Sequence, residues 1–160
     1  MISPRRFLRA FASFGLVFLQ LSSGLRAEEI PNFVLLDTEG KVHEFHRANG
    51  RAVMLFFIGT GCPIVKKSAG KLLELKKRFG DDLTIWLVDS ELDVDREVVR
   101  KEAGELGLSE LLVLLDGKQA VALALGVQRT AEAVVLDAKT HSIVYRGAVD
   151  DQLTEGAGEA

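Results

Sequence analysis

The sequence contains very little cysteine, tryptophan or tyrosine: its 160 residues include one of each, Cys62, Trp86 and Tyr145. A single cysteine excludes an internal disulfide. The chain is long enough to bury a sizeable apolar core, so it needs no such cross-link. It also has no internal repeat and no low-complexity linker, and its length predicts one domain.

The chain has no apolar run long enough to cross a membrane. The longest run near the N-terminus, Phe11 to Leu21, is well short of the ~20 residues that a transmembrane helix needs. It follows Arg5, Arg6 and Arg9 and precedes Ala27, which is the order of regions in a signal peptide. We expect cleavage near Ala27 and a periplasmic or extracellular protein; an uncleaved anchor is the alternative.

The mature chain lacks the excess of positive charge that nucleic-acid binding requires. The full chain has 20 basic and 23 acidic side chains, and four arginines lie before residue 28, which leaves 16 basic and 23 acidic groups, a formal charge of −7. This sign excludes electrostatic attraction to nucleic acid. We therefore expect a signal peptide at residues 1–27, a soluble domain at 28–152 and a flexible tail at 153–160.

The apolar pattern predicts alternating strands and helices. Unbroken apolar runs such as Ala52 to Ile58 are typical of strands buried on both faces. The predicted elements are strands at 30–36 and 41–46, a strand at 52–58, a helix at 63–79, a strand at 83–88, a helix at 94–106, a strand at 111–115, a short helix at 119–125, and strands at 133–136 and 142–145. This order predicts an α/β fold with a mixed central sheet flanked by helices and an N-terminal β-hairpin.

Both long helices are amphipathic, with apolar residues at helical spacing. The residues expected to face the core are Val65, Ala69, Leu72, Leu75 and Phe79 in the first helix and Val94, Val98, Ala103 and Leu106 in the second. Trp86 is expected in the core. The three histidines, His43, His46 and His141, are expected in solvent. Because His43 and His46 have no third ligand nearby in sequence, we expect no metal site.

The residues around Cys62 predict a reactive thiol. Cys62 lies between the Gly59-Thr60-Gly61 turn and Pro63, a residue suited to the first position of a helix. A sulfur atom at a helix N-terminus faces unpaired N–H groups and the positive end of the helix dipole, both of which favour the thiolate. Lys66 lies one turn further and would add positive charge. A buried, inert cysteine is the alternative.

Four segments resemble the redoxin branch of the thioredoxin superfamily, and most closely its alkyl hydroperoxide reductase/thiol-specific antioxidant (peroxiredoxin-like) domains. The matching segments are Phe33 to Asp37, Phe56 to Pro63, Gly126 to Thr130 and Val134 to Asp137. The resemblance implies a thioredoxin-like fold and covers about residues 30–151.

The resemblance also implies a function and a set of site residues. Cys62 matches the attacking thiol of the family, and a nearby hydroxyl and an arginine from later in the chain hold the peroxide and the thiolate. Thr60 and Arg129 are the candidates for these two roles; a loop or cap residue and an ordinary surface arginine are the alternatives. The implied substrate is a peroxide or a protein disulfide, the implied reductant is an external thiol or a thioredoxin-type protein, and no cofactor is implied.

The chain departs from the family pattern at three positions. Gly59 stands where peroxiredoxins carry Thr or Ser, Val65 stands at the second cysteine of a C-x-x-C motif, and Ala131 stands at the cis-proline of disulfide reductases. A cis bond before a residue other than proline costs roughly 2.5–4 kcal/mol, so we expect a trans bond there. Without a second cysteine, an external thiol must resolve any oxidised form of Cys62.

Two other functions fit the same departures. A binding or structural module could retain the fold after losing turnover, since the second cysteine, the proline and the aligned threonine are all absent. A copper chaperone is a weaker alternative, because the second cysteine that would complete its site is missing.

Overall fold

The computed structural model describes residues 29–150 of the chain. The signal peptide and the tail predicted at 153–160 lie outside this range. The elements are β1 (Val34–Asp37), β2 (Val42–Glu44), β3 (Ala52–Ile58), α1 (Pro63–Phe79), β4 (Leu83–Asp89), α2 (Arg96–Glu105), β5 (Leu112–Leu115), α3 (Ala120–Leu125), β6 (Ala133–Asp137) and β7 (Ile143–Gly147). This is the predicted order of strands and helices.

The strands form one mixed sheet in the order β2-β1-β5-β4-β3-β6-β7. The three central strands run parallel, β3 beside β4 and β4 beside β5. The hairpin β1–β2 adds antiparallel strands at one edge, and β6 and β7 add them at the other. The mixed sheet with an N-terminal hairpin is therefore confirmed.

Alternate residues of each strand point to opposite sides of the sheet, and both sides are covered by other elements. On one side Met54 and Phe56 of β3 pack with α1 and α2. On the other side Val53, Leu55 and Phe57 of β3 pack with α3 and the N-terminal segment. Trp86 belongs to this second layer and is buried, as predicted.

Two residues predicted to face the core are exposed instead. Helix α2 begins at Arg96 because Asp95 caps it, accepting a hydrogen bond from the backbone N–H of Glu97. This register buries Val99 and leaves Val98 47% exposed. Phe79 is the last residue of α1 and is 45% exposed, beneath the guanidinium of Arg78.

The histidines were predicted to be solvated, and this is wrong for two of them. His43 is half-buried, and its Nε2 lies 2.8 Å from Oδ2 of the buried Asp37. His141 is half-buried as well and stacks on the exposed ring of His46, with 3.6 Å between ring centroids. The strand predicted at 41–46 also ends early, at Glu44, because Phe45 turns into a short 3₁₀ helix and buries its ring.

Candidate functional site

The only cysteine lies where the central strand β3 meets helix α1. The chain leaves β3 at Ile58, turns through Gly59, Thr60 and Gly61, and enters α1 at Pro63. Gly61 adopts a φ of +73°, which a side chain would disfavour. Cys62 has extended backbone angles and is the N-cap of α1, half-buried beside the carboxyl ends of the parallel strands. This is the position that the sequence predicts.

The hydroxyl nearest to the cysteine comes from Thr130, 68 residues later in the chain. Its Oγ1 lies 3.1 Å from the Cys62 Sγ. The segment before β6 is held against β3 by two backbone hydrogen bonds: Ala131 N–H donates to the Phe57 carbonyl at 2.7 Å, and Phe57 N–H donates to the Glu132 carbonyl at 2.9 Å. These bonds align Thr130 with the end of β3 and so with the sulfur.

The bond that precedes Ala131 is trans, as expected, since no peptide bond of the described residues is cis. Ala131 takes the place of the proline of disulfide reductases with a φ of +61°, and it is buried. The Ala131 N–H donates to the Phe57 carbonyl, a hydrogen bond that a proline, which has no N–H, could not make. The alanine therefore supplies a bond that aligns Thr130 with β3.

Gly59 makes room for Thr130. A Cβ atom at position 59 would lie 2.7 Å from Cγ2 of Thr130 and 3.0 Å from Oε1 of Glu91. Contacts this short between carbon atoms are repulsive. The threonine that peroxiredoxins carry at this position would therefore displace Thr130, and its absence here leaves space for the hydroxyl that the segment before β6 brings to the cysteine.

The Gly59→Ala variant is expected to lose about 1–3 kcal/mol of stability, the usual cost of an added methyl group in a packed site. The double variant Gly59→Ala/Thr130→Ser should recover part of this loss because serine lacks the clashing Cγ2. Urea unfolding of the wild type, both single variants and the double variant measures the coupling. A double variant no more stable than Gly59→Ala would contradict the contact.

The pKa of the Cys62 thiol is lowered. Partial burial of the sulfur raises its pKa, but the hydroxyl of Thr130 and the backbone N–H groups of Val65 and Ile64 together outweigh this effect. The sulfur makes no capping hydrogen bond to the helix, so these N–H groups act as dipoles directed at it. The negative charge of Glu102 acts in the opposite direction and raises the pKa.

Two glutamates hold the turn that precedes the cysteine. Oε1 of Glu91 accepts a hydrogen bond from the N–H of Thr60 at 2.8 Å. Oε1 of Glu102, on α2, accepts one from the N–H of Gly61, also at 2.8 Å. Hydrogen bonds to ionised acceptors are about twice as strong as neutral ones. The backbone before Cys62 is therefore anchored to two separate elements.

Asp89 lies at the end of β4, opposite Ile58 of β3. It is 1% exposed. Burial raises the pKa of its carboxyl to about 6; the charges of Glu91 and Glu102 act in the same direction, whereas the N–H of Glu91, which donates to Oδ1 at 2.9 Å, lowers the pKa. This part of the site therefore carries an acid that titrates near neutrality.

The raised pKa of Asp89 predicts a pH-dependent stability. Because the folded state binds the proton more tightly than the unfolded chain, the associated stability is present below pH ~4 and is lost as the pH rises through about 6. Asp89→Asn removes the charge and keeps an acceptor for the Glu91 N–H. We expect this variant to be more stable than the wild type by about 1–3 kcal/mol at pH 8, with little difference at pH 4.

Urea unfolding at both pH values measures the effect, and Asp116→Asn is the matched control. Asp116 is also buried, but its carboxylate accepts hydrogen bonds from the N–H groups of Val121 and Ala122. An amide has one acceptor oxygen for these donors, so Asp116→Asn should lose stability at pH 8. An Asp89→Asn variant that is less stable at pH 8 would contradict the prediction.

The other two predicted site residues lie near Cys62, but neither contacts its sulfur. Thr60 is exposed, and within residues 29–150 its hydrogen bond is made by the backbone and not by the hydroxyl. Arg129 is exposed and lines a cleft of about 450 Å³ on the far side of Thr130. Thr60 lines one cleft together with Cys62, whereas Arg129 lines a different one. The roles that the resemblance implies for Thr60 and Arg129 stay predictions.

Cys62 opens into its own cleft of about 520 Å³ between α1 and α2. Lys66 lines this cleft, in agreement with its predicted position one turn along α1. The groups that lower the pKa of the thiol are nevertheless the Thr130 hydroxyl and the helix N–H groups.

No group of three metal-ligating side chains occurs among the described residues. Within the same range, no helix is both long and apolar enough to span a bilayer.

Sequence reasoning missed Thr130, Glu91 and Glu102 as parts of this site. Thr130 had one available signal, since it directly precedes the position of the family proline. The two glutamates had none, because Glu91 follows a buried strand and Glu102 lies on the polar side of an amphipathic helix. Only the packing of α2 and of the β4 end against the turn brings them to Thr60 and Gly61.

Comparison with known proteins gives one family match and many structural matches. The Redoxin family matches residues 26–159. No curated protein matches the chain. An uncharacterized conserved protein from Geobacillus kaustophilus is 26% identical, with a TM-score of 0.70 over 78% of this chain and 69% of that one. A hypothetical protein from Sinorhizobium meliloti 1021 is 25% identical, with a TM-score of 0.69 over 84% of this chain and 75% of that one.

A third structure supports the fold. The thioredoxin domain of a thiol-disulfide oxidoreductase from Bacteroides vulgatus is 22% identical, with a TM-score of 0.67 over 79% of this chain and 91% of that one. At this identity the likeness establishes the architecture alone. The fold is thioredoxin-like, as the resemblance in the sequence predicts.

Proposed function

Because the chain belongs to the Redoxin family, we propose that it is a thiol-dependent oxidoreductase whose attacking group is Cys62. Family membership supports a thiol redox function in general terms; the role of this cysteine is our proposal. The observation that carries it is the 3.1 Å contact between Cys62 Sγ and Thr130 Oγ1 at the N-terminus of α1. A hydroxyl that donates to sulfur favours the thiolate, which is the nucleophilic form.

The proposed chemistry is attack by the thiolate on an S–S or O–O bond. With a disulfide, the sulfur of Cys62 bonds to one substrate sulfur, and the other leaves as a thiolate. With a peroxide, the sulfur takes one oxygen to form a sulfenic acid, and the remaining oxygen leaves as water or an alcohol after protonation. Cys62 is oxidised and the substrate reduced in both cases.

The catalytic cycle requires an external thiol because Cys62 is the only cysteine in the chain. After attack on a disulfide, this thiol attacks the mixed disulfide and releases Cys62. After attack on a peroxide, a first thiol condenses with the sulfenic acid and releases water, and a second thiol then frees Cys62. A small thiol or a thioredoxin-type reductant would serve. The open cleft beside Cys62 gives such a partner access to the sulfur.

Mass spectrometry after incubation with hydrogen peroxide or with oxidised glutathione tests this proposal. A single-oxygen adduct on Cys62 would support peroxide reduction, and a glutathione adduct would support thiol–disulfide exchange. A cysteine that forms neither adduct at millimolar reagent would reject the proposed function.

A binding module without turnover is the second candidate. The observation that favours it is the position of Arg129, which lines the cleft on the other side of Thr130 and not the cleft of Cys62. The arginine of the family's peroxide-binding set is therefore not among the residues that line the cleft of the sulfur. A Cys62→Ser protein that complements a deletion strain as well as the wild type would support this candidate and reject the redox function.

We also propose that the protein is exported. The arginines before Phe11 to Leu21, and the small residue Ala27 that follows, support cleavage and transport out of the cytoplasm. Cell fractionation followed by intact-mass measurement tests this. An N-terminus near Glu28 in the exported fraction is expected, whereas an uncleaved chain in the cytoplasm would contradict export.

A further inference from the structure

The turn before Cys62 is held by two carboxylates from different parts of the fold. Consecutive backbone N–H groups, those of Thr60 and Gly61, each donate to a glutamate at 2.8 Å. Glu91 follows β4, and Glu102 lies within α2. Both glutamates are half-buried. The position of the cysteine therefore depends on α2 as well as on the sheet.

We propose that Glu102 is a positioning residue for Cys62: it fixes the backbone next to the cysteine and directs a negative charge toward the sulfur. This inference rests on the proposed function, since it assigns a role to α2 in the behaviour of the attacking thiol. Through this contact a movement of α2 would change both the placement of the sulfur and the charge beside it.

The charge of Glu102 acts on the sulfur because the two residues line the same cleft. Glu102 and Cys62 both line the 520 Å³ cleft between α1 and α2. The negative charge of Glu102 raises the pKa of the thiol, in opposition to the hydroxyl of Thr130. The ionisable side chains that line the cleft with Cys62 are Lys66 on α1 and Lys101, Glu102 and Glu105 on α2.

Two neighbouring glutamates provide matched controls. Glu91 makes the same kind of hydrogen bond at the same distance, but it lines the cleft on the other side of Thr130. Glu105 lines the cleft of Cys62, but its side chain is 64% exposed and its Oε1 lies 3.7 Å from Nζ of Lys101. Neither has both the contact to the turn and the charge directed at the sulfur.

The first test measures the charge effect in the full chain. Glu102→Gln keeps an acceptor oxygen for the Gly61 N–H and removes the charge. The midpoint of the pH profile for alkylation of Cys62 by iodoacetamide should move to lower pH by roughly 0.3–0.7, the effect of one partly exposed charge. Glu91→Gln and Glu105→Gln should leave it near the wild-type value. An unchanged midpoint in Glu102→Gln would overturn the charge role.

The second test measures the anchoring role. In Glu102→Ala the Gly61 amide loses its acceptor, and its hydrogen exchange, followed by NMR, should accelerate about tenfold. The adjacent Thr60 amide, held by Glu91, is the internal control and should change less. Equal exchange of the Gly61 amide in Glu102→Ala and the wild type would overturn the anchoring role.

The two tests use the thiol and the amide themselves and need no substrate. They therefore give a result even if the wild-type protein reacts with neither peroxide nor disulfide. In that case the proposed function would fail, while the effect of Glu102 on Cys62 would stand or fall on the midpoint and the exchange rate.

Discussion

Replacement of Cys62 by serine is expected to abolish the reaction of the chain with peroxide or disulfide, with a loss of at least about 10³-fold. Serine preserves the size and position of the side chain but supplies no thiolate at neutral pH. The rate of peroxide or oxidised-glutathione consumption in the presence of an excess external thiol measures the effect.

The matched control for this variant is its stability. Because the sulfur is half-buried and makes its contact with a hydroxyl, Cys62→Ser should unfold within about 1 kcal/mol of the wild type. A folded Cys62→Ser protein that retains the wild-type rate would show that the reaction does not pass through this residue.

Thr130→Val is expected to raise the pKa of Cys62, by about one to two pH units, and so to decrease its thiolate fraction at pH 7. Valine has nearly the shape of threonine, so the sulfur stays equally buried while it loses the hydroxyl at 3.1 Å. A hydrogen bond to a charged group contributes about 1.5–3 kcal/mol, which corresponds to roughly one to two pH units in the midpoint. Alkylation of Cys62 by iodoacetamide between pH 5 and 10 measures the shift.

Thr130→Ser is the control because it keeps Oγ1 and removes only the methyl group. Its alkylation profile should remain close to that of the wild type. Equal midpoints for Thr130→Val and the wild type would show that the hydroxyl does not stabilise the thiolate.

These predictions depend on contacts that the sequence reveals to different degrees. Local signals predict where β3 ends and α1 begins: an unbroken apolar run, the Gly-Thr-Gly turn and Pro63 at the first helical position. Each of these signals depends only on the backbone preferences of residues that are neighbours in the sequence. For this reason the position of Cys62 at the helix start could be predicted from the sequence.

The orientation of α2 could not be predicted in the same way. The pattern from Val94 to Leu106 allowed the helix to begin before Asp95, with Val98 facing inward. In the structure Asp95 caps the helix, and Val99 faces the core in place of Val98, whereas Ala103 is buried as predicted. An acidic residue before the first turn is itself a capping signal, but the apolar spacing favours the earlier start. The orientation of α2 determines that Glu102 reaches Gly61.

The hydroxyl that contacts Cys62 could not be predicted from the sequence either, because it comes from a distant part of the chain. Thr60 lies two residues from Cys62 in the sequence, and Thr130 lies 68 residues away, yet it is Thr130 that contacts the sulfur. The family resemblance indicated Thr60 as the hydroxyl beside the cysteine, and nothing local reveals that β6 pairs with β3. The antiparallel register of these two strands, with Ala133 opposite Phe56, brings Thr130 to the end of β3.

Local patterns are enough to show that a lone cysteine begins a helix after a buried strand, and hence that any redox cycle needs an external thiol. The groups that surround the sulfur, in contrast, depend on the packing of the folded chain: the Thr130 hydroxyl and the Glu102 charge, with Gly59 providing the space. The two cases differ in the range of the interactions involved. Turn and helix preferences act within a few residues, whereas strand pairing and helix packing bring together groups whose separation along the chain leaves no local signal.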